Sequence, residues 1–89
     1  MLGKRWNGML LDALSGGSLS FSAARRSVPG ISDAVLSDRL AELTDAGLVH
    51  RQVDPGPPLS VEYSLTTAGE KLIPVLSQLG RWAAENLNA

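Results

Sequence analysis

His50 is the sole histidine of the chain, and there is no cysteine. No pair of acids stands at a recognisable catalytic spacing beside His50, so it reads as a surface residue of a hairpin and the chain as a non-enzyme. No set of His, Cys, Asp and Glu has metal-ligand spacing. Gly16-Gly17 and Gly56 belong to turns and make no phosphate-cradling fingerprint. No metal and no cofactor is therefore expected. What remains suits non-covalent binding rather than catalysis. Arg25 and Arg26 are adjacent on the outer faces of a short helix and are the leading phosphate candidates, with Lys4, Arg5 and Arg51 behind them.

Base-reading groups need a helix to present them, and the stretch from Asp33 to Ala46 has the marks of one. Ser32 is a good N-cap, since its hydroxyl can take a free backbone N–H of the first turn. Asp33 then suits the positive end of the helix dipole. Ile31 before the cap and Leu36 after it have staple spacing. Leu36, Leu40 and Leu43 recur on one face, and Gly47 ends the helix in the left-handed conformation. The opposite face carries Ala34, Asp38, Ala41 and Asp45, with Asp33 and Ser37 to one side. Ser32 and Ser37 can hydrogen-bond phosphate or base edges; Asp38 can accept from a cytosine amino group, and Ala34 can touch a thymine methyl. Equally, Ser32 can be a cap only and Asp38 a solvated acid. Arg39 flanks the buried stripe and has two open roles, a phosphate contact or an internal pair with Asp38 or Glu42.

The remaining elements frame this helix. Trp6, Met9, Leu10, Ala13 and Leu14 share one face of a first helix, which Leu2 extends and Ser15-Gly-Gly-Ser18 ends. Ser20 caps a second helix, Phe21 to Val28, with Phe21, Ala24 and Val28 inward and Pro29-Gly30 as its stop. Leu48 to Val53 and Leu59 to Thr66 read as two strands of a hairpin. Val61, Tyr63 and Leu65 alternate with polar residues in the second strand. Between them, Asp54-Pro-Gly-Pro-Pro58 cannot pair in a sheet. Thr67 and Glu70 have capping-box spacing and open a long final helix, to about Asn86, which Pro74 should kink or start irregularly. Helix, tight turn, helix and hairpin is the order of a winged helix-turn-helix. The fold class is thus mainly α with a small β-hairpin, in one domain over residues 1–89.

The final helix carries Leu72, Ile73, Val75, Leu76, Leu79, Trp82 and Ala83, a stripe wider than a domain of 89 residues can hide. It packs on the domain's own core or, in part, on a second subunit through residues 67–88. Trp6, Tyr63 and Trp82 form either a packed aromatic core or the lining of a small effector pocket near that interface. No apolar run approaches the ~20 residues that cross a bilayer, and no signal peptide is apparent. A cytoplasmic location with no membrane partner is expected.

Several segments together resemble the HxlR-type winged-helix regulators, relatives of the MarR group. They are Gly3-Lys4-Arg5-Trp6, Phe21-Ser22 with Arg25-Arg26, Pro29-Gly30-Ile31-Ser32, Val35-Leu36-Ser37, Arg39-Leu40, Leu43 and Gly47-Leu48-Val49. Val61-Glu62-Tyr63-Ser64-Leu65-Thr66 and Gly69 complete the series, which covers nearly the whole chain. The resemblance implies a homodimeric bacterial or archaeal transcription factor. Helix 32–46 would read the major groove of a pseudo-palindromic operator, hairpin 48–66 would be the wing, and the terminal helices would form the dimer. The expected DNA contacts are Ser22, Arg25, Arg26, Ser32, Ala34, Val35, Ser37, Asp38, Arg39, Arg51 and Ser60. The expected dimer contacts are Leu2, Trp6, Leu72, Val75, Leu76, Leu79, Trp82 and Ala83. A small-molecule effector remains open.

This sequence departs from the family pattern in three places. A further N-terminal segment, often bearing a sensing cysteine, is not seen here, so cysteine-based sensing is not expected. The wing position that usually holds arginine is Ser60. Outward positions that often hold lysine and glutamine are Ala34 and Asp38. Charge counts against tight DNA binding: the net charge is −1, and from Ser32 to Ala46 four acids (Asp33, Asp38, Glu42, Asp45) face one cation, Arg39, for a sum of −3. The wing from Asp54 to Ser60 has no cation. Binding should be weak or strongly salt-dependent unless a dimer sums Arg25, Arg26 and Arg51 from both subunits. The alternative is a winged-helix module for protein–protein contact.

Overall fold

The computed structural model describes residues 5–87, and their elements run α1 (Arg5–Leu14), β1 (Leu19–Ser20), α2 (Phe21–Ser27), α3 (Asp33–Asp45), β2 (Val49–Asp54), β3 (Ser60–Leu65) and α4 (Thr67–Asn86). The core lies where α1, α2 and α3 meet the sheet. Its buried members are Leu10, Leu11, Leu14, Ala24, Val28, Ile31, Leu36, Leu40, Leu43 and Val49. Four helices and a small antiparallel sheet make a winged helix.

The face that α1 buries is turned by about one residue from expectation. Asn7, Leu10, Leu11 and Leu14 are buried, Trp6 and Ala13 are half-buried, and Met9 is 38% exposed. Positions 7, 10, 11 and 14 lie on one helical stripe as well as 6, 9, 10 and 13 do. A polar Asn7 inside the core hides that choice from an apolar pattern.

The helix-turn-helix follows the sequence closely. Ser20 Oγ accepts from Ala23 N at 3.1 Å and opens α2, and Val28, expected as its last residue, is the C-cap. Ser32 Oγ accepts from Val35 N at 3.2 Å and opens α3. Ile31 and Leu36 on either side of that cap are both in the core. At the far end Gly47 has φ +80°, Gly47 N donates to Thr44 O at 3.0 Å, and Leu48 N donates to Leu43 O at 3.0 Å. This is the paired-bond C-terminal motif that needs a residue in the left-handed region, where glycine carries no Cβ penalty.

The sheet has three strands, not two, in the order β1-β3-β2, all antiparallel. Leu19 pairs with Tyr63 and Ser20 with Glu62. Two residues cannot show a period, so β1 leaves no mark in the sequence. In the hairpin Val49 pairs with Leu65 and Arg51 with Tyr63. Val61, Tyr63 and Leu65 are half-buried as their alternation predicts, but the alternation lapses after Tyr63, where Ser64 and Thr66 are half-buried as well.

The end of β3 and the start of α4 differ from expectation by one residue. Thr66, not Thr67, is the cap: Gly69 N donates to Thr66 Oγ1 at 3.1 Å, and Thr66 Oγ1 donates to Gly47 O at 2.7 Å. Thr66 N also donates to Leu48 O at 3.1 Å. One threonine thus starts α4 and fastens it to the end of α3. A Cβ at Gly69 would collide with the Leu48 carbonyl, so the approach requires glycine. Of the two outcomes expected at Pro74, a kink or an irregular start, the irregular start is not seen: α4 is one helix from Thr67 to Asn86 with Pro74 inside it.

Helix α4 is 20 residues long, and its one buried residue is Gly69. Val75 is 54%, Leu79 56% and Trp82 53% exposed. No helix among the described residues is long and apolar enough to cross a membrane.

Candidate nucleic-acid interface

The inward stripe Leu36, Leu40, Leu43 fixes which way α3 faces. Ser32, Asp33, Ala34, Val35, Ser37, Asp38, Ala41 and Asp45 are consequently exposed. Ser22, Arg25 and Arg26 are exposed on α2, and Arg51 and Ser60 on the hairpin. Leu2 and Lys4 lie outside the described residues.

The arginines divide into two kinds. Arg25 Nη1 is 2.9 Å from Asp33 Oδ1, joining the last turn of α2 to the first turn of α3. Arg39 takes the internal role: its side chain is only 16% exposed, and its Nη2 lies 3.4 Å from Asp38 and 3.5 Å from Glu42. A guanidinium so enclosed is not presented to a phosphate. Arg26 and Arg51 have no ion-pair partner among the described residues.

Arg51 is aimed by the pleat of β2. It stands opposite Tyr63, on the sheet face that turns toward α3. There Ser37, Ala41, Thr44 and Asp45 of α3 join Arg51 and Tyr63 in lining one cleft of about 350 Å³. Exposed positions of α3 at four-residue spacing therefore share a wall with an unpaired cation of the wing. Alternate strand residues point the other way, and Gln52, Asp54, Ser60 and Glu62 line a separate polar recess. Ser60 thus sits between two acids, without a cation beside it.

This combination of helix-turn-helix, hairpin wing and outward α3 has close counterparts. The chain matches the HxlR-like helix-turn-helix family over residues 1–89. The chain belongs to that family. It is 42% identical over 85 residues to the HTH-type transcriptional regulator YvaP of Bacillus subtilis, covering 96% of this chain and 79% of YvaP. It is similar to diamide-treated YodB from B. subtilis at TM-score 0.91 and 38% identity, covering 99% of this chain and 87% of that one. A regulator assigned to the MarR family from Porphyromonas gingivalis W83 is similar at TM-score 0.84 and 31% identity, covering 97% and 84%. As an HxlR-like protein the chain is a transcriptional regulator of the DNA-binding winged-helix type and not an enzyme.

Two aromatic expectations come apart. Trp6 and Tyr63 pack against the core, whereas Trp82 is 53% exposed. Tyr63 lines the cleft beside Arg51, and Trp6 and Trp82 line none of the main clefts. A cleft between α1 and α4, about 520 Å³, is lined instead by Gly8, Asp12, Ile73, Leu76, Ser77, Leu79, Gly80 and Ala83. Of the anticipated dimer contacts, Leu72, Leu76 and Ala83 are half-buried, and Val75, Leu79 and Trp82 are exposed. His50 is exposed, and no metal-holding cluster occurs among the described residues.

The residue that sequence reasoning missed is Asn7. Its Nδ2 donates to Glu42 Oε1 at 3.2 Å from a fully buried position. A polar residue inside an otherwise apolar helical stripe is the signal that could have found it.

Proposed function

We propose that this chain acts as a homodimer on a pseudo-palindromic operator, each α3 entering one of two successive major grooves. The observation that carries this is the shared cleft: Ser37, Ala41 and Asp45 of α3 and Arg51 of β2 face one side of the molecule. A duplex lying along α3 would bring its backbone to Arg51 on one flank and to Arg26 on the other. Ser37, Ala34 and Asp38 would address base edges. Ser22 and Ser32 would add hydroxyls to the phosphate contacts.

Electrostatics temper the affinity. Arg25 of α2 offsets Asp33, which brings the charge at the reading helix to −2 from its own count of −3, in which Arg39 is already included. Arg26 and Arg51 of two subunits would supply the cations for phosphate. The 89 residues hold no cysteine, so a thiol switch is closed to them.

Dimerisation is supported by α4. Val75, Leu79 and Trp82 recur at spacings of four and three and are each more than half exposed, an apolar row that a second copy would cover. The domain would thus comprise 1–89, with 67–88 as its dimerisation segment.

One observation favours the protein-interaction alternative: the wing tip carries Asp54 and no cation through Ser60. Binding to a pool of random duplexes at low and moderate salt, with sequencing of what is retained, decides between them. Enrichment of an inverted repeat is expected for the operator binder, with retention of all duplexes reduced alike in Arg26→Ala plus Arg51→Ala. No retention even at low salt would leave the protein-interaction module.

A further inference from the structure

A series of polar contacts leads from the buried face of α1 to the outer face of α3. Asn7 is fully buried, and its Nδ2 donates to Glu42 Oε1 at 3.2 Å. The second carboxylate oxygen, Glu42 Oε2, lies 3.5 Å from Arg39 Nη2, and that same Nη2 lies 3.4 Å from Asp38 Oδ2. From Asn7 at 0% the path passes Glu42 at 26% and Arg39 at 16% and emerges at Asp38, whose side chain is 78% exposed.

The outermost contact is a surface pair and by itself would hold Asp38 only loosely. What gives it direction is the enclosed guanidinium behind it. Arg39 Nε is buried with no hydrogen-bond partner among the described residues, so the contacts of Nη2 orient the planar head. Glu42 fixes that head, and Asn7 fixes one oxygen of Glu42. With Oδ2 of Asp38 turned to Arg39, Oδ1 is the oxygen left to accept from a base amino group.

We infer that Asn7 is a positioning residue for base recognition: acting through Glu42 and Arg39, it sets the direction in which Asp38 presents its free carboxylate oxygen to a cytosine amino group. This rests on the operator reading above. It also makes α1 part of the recognition apparatus, although Asn7 is too deep to touch DNA.

The test pairs a free-protein readout with a DNA readout. In the free protein, Asn7→Ala should shift the Asp38 side-chain carboxyl ¹³C resonance and speed exchange of the Arg39 Nε proton. In the duplex selection, the cytosine preference that Asp38→Ala abolishes should fall at least roughly threefold in Asn7→Ala. Asn7→Ala should change nothing further once Asp38 is alanine. Should Asn7→Ala not fold, Glu42→Gln breaks the same path nearer the surface and is expected to give the same pair of changes. A folded variant with an unmoved Asp38 resonance and an intact cytosine preference would overturn the proposal, as would an Asp38→Ala protein with wild-type base preference. Failure of the wild type to retain any duplex would instead overturn the operator reading and this proposal with it.

Discussion

Arg25 Nη1 stands 2.9 Å from Asp33 Oδ1, so the cation best placed at the end of α2 is held by the first acid of α3. Both side chains remain about half exposed or more, at 49% and 63%. A phosphate approaching the start of α3 would compete with Asp33 for this guanidinium. Asp33→Asn should therefore tighten DNA binding several-fold at low salt and steepen the salt dependence by up to ~0.9 in log–log slope for each phosphate that Arg25 then neutralises. Stability should fall by no more than ~1 kcal/mol, from loss of a surface pair and of a favourable charge at the helix N-terminus. Fluorescence anisotropy across a salt series reads the first effect and thermal melting the second. A slope and affinity equal to wild type would mean that Arg25 does not reach phosphate.

Arg26 and Arg51 carry no such restraint. Replacing both with alanine should weaken binding to every duplex by a similar factor and flatten the log–log salt slope by ~0.9 for each phosphate no longer neutralised. Because both are exposed, stability should stay within ~0.5 kcal/mol. Loss of preference for one sequence over another, with general affinity preserved, would place these residues at base edges instead.

Leu79 is 56% exposed in the centre of the apolar row on α4. Leu79→Glu should give a folded monomer, read as halved mass in light scattering with an unchanged helical circular dichroism spectrum. A dimer of undiminished mass would show that α4 is not the interface.

Gly69 tests the junction of α3 and α4. Helix propensity alone predicts that Gly→Ala inside a helix stabilises by ~1 kcal/mol. Here the added Cβ would collide with the Leu48 carbonyl, so Gly69→Ala should lower the melting temperature. Thr66→Val should also destabilise, by ~1–2 kcal/mol, since it removes the cap of α4 and the bond to Gly47 O. A stabilised Gly69→Ala protein would refute the close approach.

Much of this architecture could be read from local chemistry. Ser20, Ser32 and Gly47 act at the helix ends where their residue types placed them, because caps depend on a few neighbouring atoms. Leu36, Leu40 and Leu43 likewise bury the face their spacing defines. What escaped depended on distant partners. β1 exists because Leu19 finds Tyr63, 44 positions away in the chain. Thr66 displaces Thr67 as cap because it alone also reaches Gly47 O. Asn7 occupies the core because Glu42 is there to meet it. The same limit governs the interface: the acids of α3 were countable in the sequence, but that Arg25 would offset Asp33 and Arg39 would turn inward required the packed helices.

In the proposed complex α3 and Arg51 of the wing address DNA from both halves of a dimer. Hydroxyl-radical footprinting on the inverted-repeat duplex recovered by selection tests it most directly. Two protected backbone segments should appear on each strand, centred about one helical turn (~10 base pairs) apart, and both should vanish in Arg26→Ala plus Arg51→Ala. A single protected segment, or two that persist in the double variant, would rule out this arrangement.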